Sequence, residues 1–160
     1  MEQLLRVKGS VRLQIEEDGE IVGDSGWNKN IITTGGFNEY IIKQIGTSLT
    51  GSKVSHVNVG TNGTPASNAT SLPSEVVGTS AQVWRAAVTA NTSATSKSLQ
   101  FTATLSSGVS FVTATETINN VGLFGHTTTN ALMAGASYAA SSVGTNQNVN
   151  ITYVLTFETA

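Results

Sequence analysis

Apolar and polar residues alternate with period two along much of the chain, the signature of strands with one buried and one wet face. At the start, Leu5, Val7, Val11, Leu13 and Ile15 share one parity, while Arg6, Lys8, Ser10, Arg12, Gln14 and Glu16 share the other. Gly9 interrupts the apolar row and predicts a bulge or a bend. Asp18-Gly19 offers a tight turn because both residues tolerate positive φ, so residues 1–26 are expected to form a charged N-terminal strand and hairpin. The return strand begins at Glu20, and Trp27 to Thr33 is read as its continuation. Residues 3–15 are the edge-strand candidate, with charges that discourage edge-to-edge aggregation.

The period changes once. Phe37, Tyr40, Ile41 and Ile45 fall at i, i+3, i+4 and i+8, which predicts one short amphipathic helix over 36–45. Thr34 is its expected N-cap and Gly46 its stop. Beyond residue 53 the pattern returns to strands: 54–59, 81–89 with Trp84, Ala86 and Val88 on one side, 99–105, 115–124 and 131–136. The last is the clearest, with Val149, Ile151, Tyr153, Leu155 and Phe157 inward and Val154 the only apolar residue on the other parity. Strands at short spacing with one helix predict a mainly β chain: a single antiparallel β-sandwich over 1–160, jelly-roll-like, with an N-terminal hairpin. Helices do not alternate with strands, which excludes a parallel α/β sheet.

Composition sharpens this. Only 11% of residues are charged, against about 25% in an average domain, whereas Thr, Ser and Asn supply 54 of 160. Hydroxyls and amides must therefore solvate the surface, which suits β-sheet. Residues 1–50 hold 12 of the 18 charges, giving a charged front and a nearly neutral back. A net charge of −2 recommends no nucleic-acid partner. Met1 to Ile15 has no leader-like apolar core and no run is long enough to span a membrane, so synthesis in the cytoplasm without a membrane partner is expected. The absence of cysteine excludes disulfides, thiolate metal sites and a cysteine nucleophile.

Candidate chemistry is sparse. Gly60-Thr61-Asn62-Gly63-Thr64 lacks the lysine and following helix of a phosphate loop. His56 and His126 lie far apart, outside any paired metal-ligand spacing. Glu16, Glu17, Asp18, Glu20 and Asp24 do not match a calcium loop and read as a solvated hairpin tip. Glu75, Glu116 and Glu158 are the only acids after position 50, and two of them could face each other as a glycosidase pair. Trp84 reads as core, whereas Trp27, in a polar setting, leaves a sugar-binding surface open. Four Asn-x-Ser/Thr triplets, starting at Asn62, Asn68, Asn91 and Asn150, read as chance without a secretory signal. No nucleophile, base and orienter assemble, so no catalytic, cofactor or metal residue is assigned and no enzyme is expected. Residues 60–80 read as a long surface loop whose plausible work is protein contact. The candidate interface residues are Arg6, Lys8 and Arg12 on the first strand, Trp27, and Asn62 and Thr64 in the loop.

Three segments carry a resemblance: Asn30-Ile31-Ile32-Thr33-Thr34-Gly35-Gly36; Val54 to Thr61, then the polar loop and Leu72-Pro73-Ser74-Glu75-Val76; and Thr117 to Phe124. In this order they resemble small β-rich virion proteins of tailed bacteriophages, a group that includes capsid decoration (cement) proteins and N-terminal modules of tail-fibre and tail-collar proteins. Such proteins often have an acidic residue directly before the Val-Gly-Leu-Phe element, where this chain has Asn120. The resemblance implies a structural role on the virion without catalytic residues, with the major capsid protein or other virion proteins as partners and self-association. No fibre repeat follows residue 160, which favours a head decoration protein over a tail or neck component. A carbohydrate-binding module is the third reading.

Overall fold

The computed structural model describes residues 5–45, 52–78, 85–93, 96–127 and 131–159. The described chain forms two antiparallel sheets packed face to face. Sheet A is built from β1 (Leu5–Glu17), β2 (Glu20–Asp24), β3 (Asn28–Lys29), β7 (Thr89–Ser93), β8 (Ser98–Leu105) and β11 (Asn148–Thr159), in the order β2-β1-β11-β8-β7 with β3 also on β1. Sheet B contains β4 (Ile31–Ile32), β5 (His56–Gly60), β6 (Ala86–Ala87), β9 (Glu116–Phe124) and β10 (Leu132–Val143), in the order β4-β10-β9-β5-β6. The jelly-roll-like feature is that the first strand pairs with the last, β1 with β11, while β4 pairs with β10.

The inner faces meet in one core that includes Val11, Leu13 and Ile15 of β1, Val57 and Val59 of β5, and Ile151, Tyr153 and Leu155 of β11. The predicted parities of β1 and β11 hold. Fully burying such a side chain contributes about 1.5–3 kcal/mol, so these alternating rows do much to fix the register. The hairpin also forms, with Asp18 at φ 52° and Gly19 at φ 85°.

Several details differ from expectation. The first strand is no edge: β11 pairs along it from Leu5 to Glu16, and β2 and β3 fill part of its other side. Its charges mark a face open to water, which the alternation reported correctly, and not an open side of the sheet. Of Trp27 to Thr33, only β3 continues the return strand along β1; after it the chain crosses to sheet B as β4. Gly9 makes no bulge; the Asn30 side chain lies directly over it, where a Cβ would collide. β7 was not anticipated, and β10 runs beyond Ala136 to Val143 with an irregularity between Ser137 and Ser141.

Helical backbone begins at Thr34, two residues before the predicted start, and is wound as a π-helix over Gly36–Ile42 before Lys43–Ile45 continues it. The wider winding turns the apolar row away from a single face: Tyr40 is buried, Ile41 half-buried, and Phe37 and Ile45 are exposed. Thr33, not Thr34, caps it. Its hydroxyl accepts from Gly36 N at 2.8 Å and donates to Leu132 O at 2.6 Å. The expected stop at Gly46 and the core role of Trp84 lie outside the described residues.

Candidate functional site

Residues 61–78 leave the end of β5 and cover the outer face of sheet B. The segment is far from soft. Ser74–Val76 runs back along β5, with Thr61 N donating to Ser74 O at 3.0 Å and Val76 N to Val59 O at 2.9 Å. Farther out, Thr34 N donates to Ser67 O at 2.7 Å and Leu132 N to Thr70 O at 3.1 Å, tying the loop to the helix start and to β10. Pro65 is buried against Gly135 of β10, where any side chain would displace it: a Cβ there would stand 2.7 Å from the proline ring. Leu72 closes a second apolar cluster with Phe124 and Leu132 on the outer side of the sheet.

Asn120 is the central polar tie. It is fully buried on β9, and its amide nitrogen lies 3.0 Å from Asn62 O, 3.1 Å from Gly63 O and 3.2 Å from Pro73 O. These are all acceptors, so the position needs a donor. A carboxylate there would face carbonyl oxygens, which accounts physically for an amide at this position.

The closing end of the loop is held by a buried ion pair. Arg85 Nε donates to Glu75 Oε1 at 2.7 Å and Nη2 to Oε2 at 3.0 Å, with side chains 1% and 10% exposed. This two-point geometry is the strong form of the guanidinium–carboxylate bond. Arg85 Nη1 also donates to His126 O at 2.8 Å, and the guanidinium lies over the Phe124 ring, 3.5 Å from its centroid. Asn58 Nδ2 adds bonds to Glu75 Oε1 at 3.1 Å and Val76 O at 3.0 Å. Sequence reasoning missed Asn58, Arg85 and Asn120 as a set. The available signal was two opposite charges, Glu75 and Arg85, isolated in the nearly neutral part of the chain.

Gly60 to Thr64 opens this loop, not a helix. His56 bonds Ser55 Oγ through Nδ1 at 2.7 Å. Burial, with the nearby charges of Arg85 and His126, holds the His56 imidazole below its ordinary pKa. Glu75 and Glu116 do line one small cavity of about 210 Å³, together with Thr61, Val77, Val112 and Thr113. Both Glu75 oxygens are already bonded to Arg85, however, and no aromatic ring lines that space. Glu158 lies apart on sheet A with Lys8. Among the described residues no three His, Asp or Glu side chains are grouped to hold a metal ion.

The six candidate interface residues are not brought together. Arg6, Lys8 and Arg12 point outward from sheet A, and Trp27, 55% exposed, follows β2 on the same sheet. Asn62 and Thr64 are exposed on the loop over sheet B. Nor is the basic row unopposed. Lys8 bonds Glu158 at 2.5 Å, Arg12 bonds Asp24, and Arg6 stands opposite Glu158 in the strand register. The hydrogen bonds from Arg12 and from Gly26 N hold the Asp24 carboxyl far below the usual carboxylate range. The acidic hairpin is likewise occupied: Glu17 accepts from Asn146 at 2.6 Å and Gln147 at 2.8 Å, and Glu16 from Asn150 at 2.7 Å. No helix among the described residues is long and apolar enough to cross a membrane. No protein-family model, curated protein or solved structure matches this chain.

Proposed function

We propose that this chain is a structural component of a tailed-phage virion, a decoration protein that binds the head shell in many copies, and that the loop over sheet B is its contact surface. The observation that carries the reading is the convergence of the three resembling segments on one structural unit. They form β4, β5 with its loop, and β9, all in sheet B, and Asn120 of the third segment ties down the loop of the second.

A loop tied in this way has little freedom left to lose on binding, which is where flexible contacts forfeit affinity. Small contacts repeated over a symmetric shell then act through number. The low charge limits repulsion between crowded copies.

Copy number in purified virions tests the location. Hundreds of copies per particle support the head surface, a few to a few tens support the tail or neck, and absence from the particle sinks the reading. Binding to shells lacking the protein tests the surface. Asn62→Lys with Thr64→Lys is expected to abolish binding while leaving the fold intact. Arg6→Glu with Lys8→Glu and Arg12→Glu is expected to leave it largely unchanged. The reverse ranking would move the contact to β1.

A further inference from the structure

We infer that the free protein pairs with a second copy of itself through the open edge of β7, antiparallel across a two-fold axis. A sheet edge presents unpaired N–H and C=O groups, and proteins that stay apart shield them with charge, proline, bulges or extreme shortness. The outer stretches of β1, β2, β4, β6 and β10 each have such a device. The open part of β1, Leu5 to Gly9, carries Arg6 and Lys8, with the Asn30 side chain over Gly9. β2 carries Glu20 and Asp24 and pairs through an irregular register. β4 and β6 are two residues long. β10 beyond Gly135 is broken by the irregularity between Ser137 and Ser141.

β7 has none of these. Thr89-Ala90-Asn91-Thr92-Ser93 is uncharged, lacks proline, pairs with β8 in unbroken register, and is exposed at all five positions. Beside it lies an apolar groove of about 300 Å³, lined by Ala90, Leu99, Phe157, Val54 and Ile41 among others. Ile42 and Ile45, which follow Ile41 on the helix, are 59% and 76% exposed. An uncharged edge next to apolar surface is self-complementary, as a two-fold contact requires. Antiparallel pairing of β7 with its copy would continue sheet A across the dimer and cover apolar surface on both sides. Nothing in this depends on the virion reading, since it concerns the purified chain alone.

The chain has no cysteine, so single Cys substitutions at 89, 90, 91, 92 and 93 report the pairing cleanly. In an antiparallel two-fold pair, the residue on the axis faces its own copy at about 4.5–5.5 Å between Cα atoms, within disulfide reach. Mild oxidation should therefore give one strongly crosslinked position, with the yield falling away on either side. Sedimentation of the unmodified protein should give twice the 16.6 kDa chain mass. Asn91→Lys and Thr92→Lys, both at exposed positions, should each restore the single-chain mass and melt as the parent does. A single-chain mass at every concentration up to the solubility limit would overturn the inference. So would a flat crosslinking profile, or a dimer that survives both substitutions.

Discussion

Across sheet A, strand neighbours form rows on the outer face that are polar except at Val154: Arg12, Thr152, Thr102 and Thr89 in one, Ser10, Val154, Gln100 and Asn91 in the next. Water solvates this face, and its cross-strand ties are exposed pairs such as Thr104 Oγ1 to Asn150 Oδ1 at 2.7 Å. Across sheet B the corresponding face carries Asn58, Asn120, Phe124 and Leu132, all buried beneath residues 61–78. One sheet therefore has a single dry face and the other has two. The difference teaches where stability and recognition separate. Changes to the bare face should be nearly free, whereas the covered face couples the shape of the loop to the integrity of the fold.

Breaking the ion pair under the loop should have the largest effect. Glu75→Gln or Arg85→Met leaves a buried partner uncompensated, at a cost of about 3–5 kcal/mol. Lys8→Met on the bare face removes an exposed pair worth about 1 kcal/mol or less. Denaturant melts of the three variants measure the contrast, and similar midpoint shifts would abolish it. Next comes Leu72→Ala, which hollows the outer apolar cluster and should cost about 2–5 kcal/mol. Val154→Ala, on the outer parity of β11, should cost well under that.

Asn120→Asp sharpens the comparison through pH. It replaces a buried donor by a carboxylate facing three carbonyls, a loss of about 3 kcal/mol or more at neutral pH. Desolvation and those carbonyls favour the protonated acid, so its folded pKa rises above the unfolded value. The variant should then recover toward the parent below the ordinary carboxylate pKa and lose stability as pH rises through the raised one. Melts from pH 3 to 8 test this, and a pH-independent deficit would contradict it.

The bare face has its own, smaller pH response of opposite sign. Hydrogen bonds from Arg12 and Gly26 depress the Asp24 pKa, and those from Gln147 and Asn146 depress that of Glu17. Their contributions are present above the ordinary carboxylate pKa and fade as pH falls through the depressed folded values. Asp24→Asn should therefore narrow the gap between the melting temperatures at neutral and acid pH, with little effect at high salt.

Legibility in the sequence follows the same division. β1, β8 and β11 of sheet A have one wet and one dry face, so alternation displays them. β9 does not alternate at its end, because Asn120, Val121, Gly122, Leu123 and Phe124 are all buried. A strand covered on both sides reads as a continuous run. The cover itself is hard to see: its anchors Pro65 and Leu72 are single residues in a stretch of Gly, Thr, Ser and Asn, and its ties run to backbone carbonyls that leave no trace in composition. The charge on β1 was legible, but its neutralisation was not, since Glu158 lies at the far end of the chain.

Amide hydrogen exchange on the free protein tests the central claim, that residues 61–78 are a fixed outer layer of sheet B. Thr61 N and Val76 N are the informative probes because both donate across the base of the loop. The account predicts that they exchange with protection close to that of the neighbouring β5 amides, ~100-fold or more slower than an unstructured chain. Exchange of Thr61 and Val76 near the unstructured rate, while β5 stays protected, would show a loop free of the sheet and contradict the account.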